Sequence, residues 1–106
     1  MIDMPPGALE MLILRVLKSE PLHGYAIAQR IRTLSSDVLR VEEGSLYPAL
    51  QRLLMKDHVK ARWGISDTGR RVRFYRLTPP GLRQLESKLS EYEQTIDAIL
   101  AVLRTA

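Results

Sequence analysis

Between Leu46 and Leu77 the spacing of the apolar residues changes period, and that change constrains the fold more than any other feature of the 106-residue chain. Leu46, Leu50, Leu53 and Leu54 recur at i, i+4, i+7 and i+8, which gathers them on one face of an α-helix. A few residues on, Val59, Ala61, Trp63 and Ile65 alternate with Lys60, Arg62 and Gly64, the period of two that marks a half-buried strand. Ser66-Asp67-Thr68-Gly69 reads as a turn. Arg71 to Leu77 reads as the return strand, with Val72, Phe74 and Tyr75 supplying β-branched and aromatic residues. A helix running directly into a hairpin predicts a mainly α chain with a small β-hairpin, an α+β fold with the layout of a winged helix-turn-helix.

The predicted helix over 45–56 has a second face that carries Ser45, Pro48, Arg52 and Lys56, flanked by Tyr47 and Gln51. Ser45 is a suitable N-cap, and capping there puts Pro48 in the first turn, where its missing N–H costs little. Small hydrogen-bonding residues at the start and basic residues further along suit a helix that enters a DNA groove. A generic surface helix could carry the same pattern, so the hairpin matters. Across it lie Lys60, Arg62, Arg70, Arg71, Arg73 and Arg76 against the single acid Asp67. The formal net charge is +4, but the last segment holds Glu86, Glu91, Glu93 and Asp97, so the positive charge is placed rather than spread. A basic hairpin beside such a helix favours a polyanionic partner. The alternative is a winged helix that docks on another protein through an acidic surface, without specific DNA binding.

The first helix is expected from about Gly7 to Lys18, after the Pro5-Pro6 start signal. Leu9, Leu12, Ile13, Val16 and Leu17 make its core stripe, while Met11 and Leu14 lie on the other side and suggest cover by a second subunit. Ser19-Glu20-Pro21 breaks the chain, and a second helix is expected over about His23 to Leu34 with Ile27, Ile31 and Leu34 inward. Ser35 to Glu43 is a connector with room for a brief strand around Val38 to Val41. Thr78 reads as the N-cap of the last helix, with Pro79 and Pro80 in its first turn. Leu82, Leu85, Leu89, Tyr92, Ile96, Ile99 and Leu103 then recur at spacings of 3, 4, 3, 4, 3 and 4, an a/d seam of about three heptads. This seam predicts pairing with a second copy. The chain therefore divides into residues 1–78, a DNA-binding domain, and residues 79–106, a dimerisation helix.

Several function classes lack the residues they need. The chain has no cysteine, which removes disulfides, thiol nucleophiles and thiolate metal sites. Its start lacks a basic segment followed by an apolar run, so no secretory signal is expected, and no apolar stretch is long enough to span a bilayer. A cytoplasmic protein is the default. His23 and His58 have no evident third metal ligand. Ser35, Ser36 and Ser45 lack a base and an orienting group, and no glycine-rich phosphate loop is present. Neither enzyme activity nor a cofactor is expected.

In order and spacing, the motifs resemble those of the PadR family of bacterial transcriptional regulators. Leu22-His23-Gly24-Tyr25 resembles the start of that family's second helix. Glu43-Gly44-Ser45-Leu46-Tyr47-Pro48-Ala49-Leu50, continued by Leu53, resembles its most distinctive signature. Trp63, Arg70-Arg71, Tyr75-Arg76-Leu77-Thr78 and Gly81 match its wing and the lead into its last helix. The single short C-terminal helix is similar to the smaller subgroup. The resemblance implies a homodimeric repressor that binds an inverted-repeat operator in double-stranded DNA. It further implies that Ser45, Tyr47 and Pro48 approach bases and phosphates, that His23 and Tyr25 meet the backbone, and that Arg70 and Arg71 reach a minor groove or phosphates. Gln51, Arg52, Lys56 and Arg73 complete the expected DNA-binding set. Met11, Leu14 and the heptad residues make the expected subunit seam. Some small members hold flat drugs against a tryptophan on the last helix. Here Tyr92 is the only aromatic residue on that helix, and Trp63 is expected to anchor the wing on the domain. A small-molecule effector is compatible with this reading, but these residues do not name one.

Overall fold

The elements run in the order α1 (Ala8–Leu17), β1 (Leu22–His23), α2 (Gly24–Leu34), α3 (Glu43–Met55), β2 (Val59–Ile65), β3 (Arg71–Leu77) and α4 (Pro79–Leu103). They are seen in a computed structural model that describes residues 4–5 and 7–105. Pro6, half of the expected start signal, and the Met1-Ile2-Asp3 segment lie outside the described residues. The predicted helices and the predicted hairpin form where their periodicities place them.

Helix α1 is the central post. Ile13, Leu14, Val16 and Leu17 are buried on it, and it packs on α2, α3, α4 and β3. Ile27 and Ile31 of α2 close the core from one side, and Leu46, Ala49, Leu50 and Leu53 of α3 from another. Val59 and Tyr75 bring in the sheet. Burial of each such aliphatic side chain is worth about 1.5–3 kcal/mol, so the oily stripe of α3 holds that helix against the post.

The corner between α3 and α4 is tied by Thr78. Its hydroxyl accepts a hydrogen bond from the Gly81 N–H at 3.0 Å, as an N-cap should, and donates to the Asp57 carbonyl at 2.6 Å. The Thr78 N–H also donates to the His58 carbonyl at 3.2 Å. Asp57 takes a φ of 60° to turn the chain from α3 into β2. One buried threonine thus fixes the position of the last helix relative to the hairpin.

The structure corrects the sequence reading in several places. The sheet has three strands, in the order β1-β3-β2, because Leu22 and His23 pair with Tyr75 and Phe74 on the free edge of the hairpin. Two residues have too little pattern to be legible as a strand; pairing with β3 supplies it. The connector forms no strand: within Val38 to Val41 only Leu39 makes an isolated bridge. Leu34, expected to point inward, is exposed at the end of α2. Helix α3 begins at Glu43, with Glu42 rather than Ser45 at the N-cap, and Pro48 therefore lies inside the helix instead of in its first turn. The two N–H groups of Ser45 and Leu46 both reach back to the Glu42 carbonyl, at 3.0 and 2.8 Å. Two residues assigned to the subunit seam are closed within the chain's own core: Leu14 is 2% exposed and Leu85 3%. The seam therefore splits. The first turns of α4 pack inward through Leu82 and Leu85, while Leu89, Tyr92, Ile96, Ile99 and Leu103 stand exposed along the rest. A helix of 25 residues is about 37 Å long, and the longest dimension of the molecule is 57 Å against 30 and 22 Å for the others.

Candidate nucleic-acid interface

The outward side of α3 is set by what its inner side buries. With Leu46, Ala49, Leu50 and Leu53 in the core, Gly44, Pro48, Gln51 and Met55 form an exposed ridge. Ser45 and Tyr47 are exposed on either side of it. The ridge carries no charged side chain. A surface of this kind can approach base edges without a desolvation cost for buried charge.

Arg52 and Lys56 do not lie on the middle of that ridge, contrary to the sequence reading. They turn toward α1, where both meet the Glu10 carboxylate: Arg52 Nε at 3.1 Å and Lys56 Nζ at 3.4 Å. Glu10 is only 23% exposed in its side chain, so this pair of contacts is better sheltered than a free surface ion pair. Glu10 was absent from the sequence-derived site. No local pattern links it to residues 42 and 46 positions away; the contact exists only because α1 and α3 pack together.

On the other flank, α2 meets α3 through a missing side chain. A Cβ on Gly24 would lie 3.0 Å from the Tyr47 ring and hydroxyl. Glycine there lets Tyr47 lie across the start of α2, beside Tyr25, whose hydroxyl accepts a 2.6 Å hydrogen bond from Gln29 Nε2. His23 stands at the same helix start and meets Phe74 edge-on, ring centroids 5.7 Å apart. The fold thus gathers His23 of β1, Tyr25 of α2 and Tyr47 of α3 at one end of α3.

The wing separates its basic residues onto two faces. The register pairs Val59 with Leu77, Ala61 with Tyr75, Trp63 with Arg73 and Ile65 with Arg71. Directly opposed residues share a face. Because Val59 and Tyr75 are buried, Trp63, Ile65, Arg71 and Arg73 continue the core-side face beyond the body of the domain. Lys60, Arg62 and Arg76 lie on the other face, and Arg70 follows the turn closed by the Gly69 N–H to the Ser66 carbonyl at 2.9 Å. Among the described residues none of these six cations makes an ion pair. Burial pushes the Tyr75 phenol above its usual range; the Arg73 charge opposes the rise and Tyr47 adds to it.

Trp63 does not anchor the wing on the domain. It is 56% exposed, and Arg71 lies over its ring at 4.3 Å. The alternation in the strand identified the correct face, but that face runs past the edge of the core before it reaches residue 63.

Among the described residues no cluster of His, Asp or Glu could hold a metal ion, and no helix is long and apolar enough to cross a membrane. A crevice of about 270 Å³ opens between α1, the end of α3 and α4; Met11, Lys56, His58, Lys88 and Tyr92 line it together with Glu10.

Helices packed around a central post, one of them offering an uncharged ridge to the outside, with a basic hairpin beside it, define a winged-helix DNA-binding protein. The chain belongs to the PadR-like family of transcriptional regulators, whose pattern it matches over residues 13–87. It is a transcriptional regulator, not an enzyme. It is similar to a structure of a transcriptional regulator from Clostridium thermocellum, at 31% identity and a TM-score of 0.80, covering 88% of this chain and 90% of that one. A PadR family transcription regulator from Clostridium difficile matches at 30% identity and a TM-score of 0.79, over 92% of this chain and 99% of that one. An uncharacterized protein from Lysinibacillus sphaericus is 32% identical, over 92% of this chain and 93% of its own length. A 37.1 kDa protein in a transposon of Streptomyces fradiae is 43% identical over 73% of this chain, which spans 21% of that longer protein.

Proposed function

We propose that this chain is a homodimeric repressor that binds an inverted-repeat operator in the cytoplasm, with α3 of each copy in successive major grooves. The observation that carries the reading is the uncharged, outward ridge of α3, with Tyr25 and Tyr47 on its α2 flank, together with a wing whose six cations make no ion pair among the described residues. In this arrangement Ser45, Pro48 and Gln51 face base edges. His23, Tyr25 and Tyr47 meet the sugar–phosphate backbone at the other end of the contact. Arg70, Arg71 and Arg73 bind phosphate or an adjacent minor groove, which gives affinity and salt dependence rather than sequence choice. Residues 1–78 serve DNA, and residues 79–106 serve the dimer. Pairing through α4 would set the half-sites about one helical turn apart, ~34 Å centre to centre. A gel shift on the DNA upstream of the protein's own gene tests the proposal; equal affinity for random duplex would overturn the operator-specific part.

Two further outcomes are expected. Replacing Arg70 and Arg71 together by Ala should weaken binding to every duplex and lower the salt slope by about one unit per lost phosphate contact. A slope that stays at the wild-type value would show that the wing does not touch phosphate. Glu10→Gln should act in the opposite direction. The amide no longer holds Arg52 and Lys56, and if these join the phosphate contacts the slope steepens by up to about two units. Titration of labelled duplex by anisotropy at several salt concentrations reads both effects. No change in Glu10→Gln would place Arg52 and Lys56 outside the DNA contact.

A small-molecule effector forms part of the proposal, with the crevice beside Tyr92 as its place, since that crevice touches both α4 and the Lys56 end of α3. A thermal-shift screen followed by a DNA-release assay would find such a compound. The alternative of a protein-docking module draws support from the exposed Trp63 and Ile65 on the wing. It requires that DNA affinity be absent at all salt concentrations.

A further inference from the structure

The wing's core-side face holds an arrangement that neither strand propensity nor packing explains. Trp63 is the only tryptophan of the chain, and more than half of its surface is open. It stabilises no hydrophobic cluster. Instead, two guanidiniums lie over its ring: Arg71 at 4.3 Å from the centroid and Arg73 at 5.9 Å. Arg73 is its directly opposed partner across the hairpin, and Arg71 is the diagonal neighbour. Arg73 also lies 5.8 Å from the ring of Tyr75. Two arginines on one face of one strand, two residues apart, repel each other and would otherwise sweep a wide range of rotamers. An indole is the strongest of the aromatic faces for a guanidinium, and stacking leaves the edge N–H groups of the arginine free to bind. No carboxylate among the described residues competes for them.

We propose that Trp63 is a positioning residue for DNA binding: its ring orders Arg71 and Arg73 so that both present their donors to one stretch of duplex backbone, with the indole edge lying at the contact. This rests on the DNA-binding reading above and adds to it the residue that organises the wing. The occupant follows from charge. A face with two unpaired arginines and no acid fits a polyanion better than an apolar partner surface, which would have to desolvate both cations. Loss of one pre-ordered cation–π contact should weaken binding about two- to fivefold at an exposed site.

The test combines the single fluorophore with a mutant cycle in the full-length protein. Addition of duplex to the wild type should change the tryptophan emission in step with binding measured by anisotropy. Trp63→Ala should leave the thermal melt nearly unchanged, since the ring is exposed, while weakening DNA binding. Trp63→Phe should restore most of the affinity, and Trp63→Leu, equally apolar but without a π-face, should not. In an Arg71→Ala, Arg73→Ala background, Trp63→Ala should cost little more, because the ring then has nothing to order. Losses that simply add, or Trp63→Leu binding as well as Trp63→Phe, would overturn the positioning role. Unchanged emission on saturation with duplex would overturn the contact. If the wild type binds no duplex at all, the underlying reading fails and this inference falls with it, whereas a wild type that binds beside an indifferent Trp63→Ala refutes the inference alone.

Discussion

Gly81→Ala is expected to destabilise the protein by about 2–3 kcal/mol, although the position is helical. Helix propensity points the other way, favouring alanine over glycine by about 1 kcal/mol in a helix interior. The tertiary contact decides. A Cβ at Gly81 would drive into the His58 carbonyl oxygen and stand 2.9 Å from the carbonyl carbon behind it. Both are backbone atoms, and that carbonyl already accepts the Thr78 N–H at 3.2 Å. Neither can turn aside as a flexible side chain could. Relief requires the start of α4 to move off the α3–β2 corner, which breaks the Thr78 hydroxyl bridge between Asp57 and Gly81. A thermal melt at fixed protein concentration should show a drop of roughly 10 °C or more. Gly44→Ala serves as the control, because a Cβ there meets nothing within 4 Å; it should be neutral or stabilising by up to about 1 kcal/mol. Equal melts for the two variants would mean that α4 can slide away from His58 at little cost.

Ile96→Asp is expected to separate the subunits of the proposed dimer and to lower operator affinity by about a hundredfold or more. Within one chain Ile96 is 38% exposed, in line with Leu89, Tyr92, Ile99 and Leu103. A run of exposed apolar residues along one side of a projecting helix is a face that requires cover. A carboxylate in its middle would have to be buried without a partner. Two half-sites bound by linked copies gain from effective concentration, and two independent monomers lose that gain. Sedimentation should show a monomer whose far-UV spectrum is unchanged, since Ile96 contributes nothing to the chain's own core. A full dimer with wild-type operator affinity would place the subunit contact elsewhere, with α1 through Met11 as the next surface to test.

The parts of this fold that could be read from the sequence are those in which the physical signal is local. A 3.6-residue period put Leu46, Leu50 and Leu53 on one face, and a period of two put Val59 and Ala61 on one side of a strand. Thr78 followed by two prolines marked a helix start because the cap hydrogen bond is made within one turn. That Pro48 and Gln51 point outward was legible for the same reason, since they are what remains once the apolar face of α3 is assigned, whereas the roles expected of His23, Tyr25, Arg70 and Arg71 came from the family resemblance. Where the reading failed, packing between elements overrode a local preference. The cap of α3 moved to Glu42, since packing of Leu46 and Ala49 fixes where that helix begins more strongly than the capping preference of a serine. Leu14 and Leu85 have the spacing of seam residues, yet they fill the interior of one copy, because the same heptad stripe serves the core at one end and open surface at the other.

Residue spacing, then, carried the main local order: which long stretches coil, which pair of segments forms the hairpin, and which side of each is oily. Assembly in space chose the rest. It set Glu10 against Arg52 and Lys56, laid Tyr47 on Gly24, left Trp63 open to solvent beneath Arg71, and closed Gly81 against the His58 carbonyl. The reason is one of range. Hydrogen-bond and side-chain preferences act over a turn or a hairpin, whereas close packing relates residues by shape, and shape at a contact depends on elements far apart along the chain.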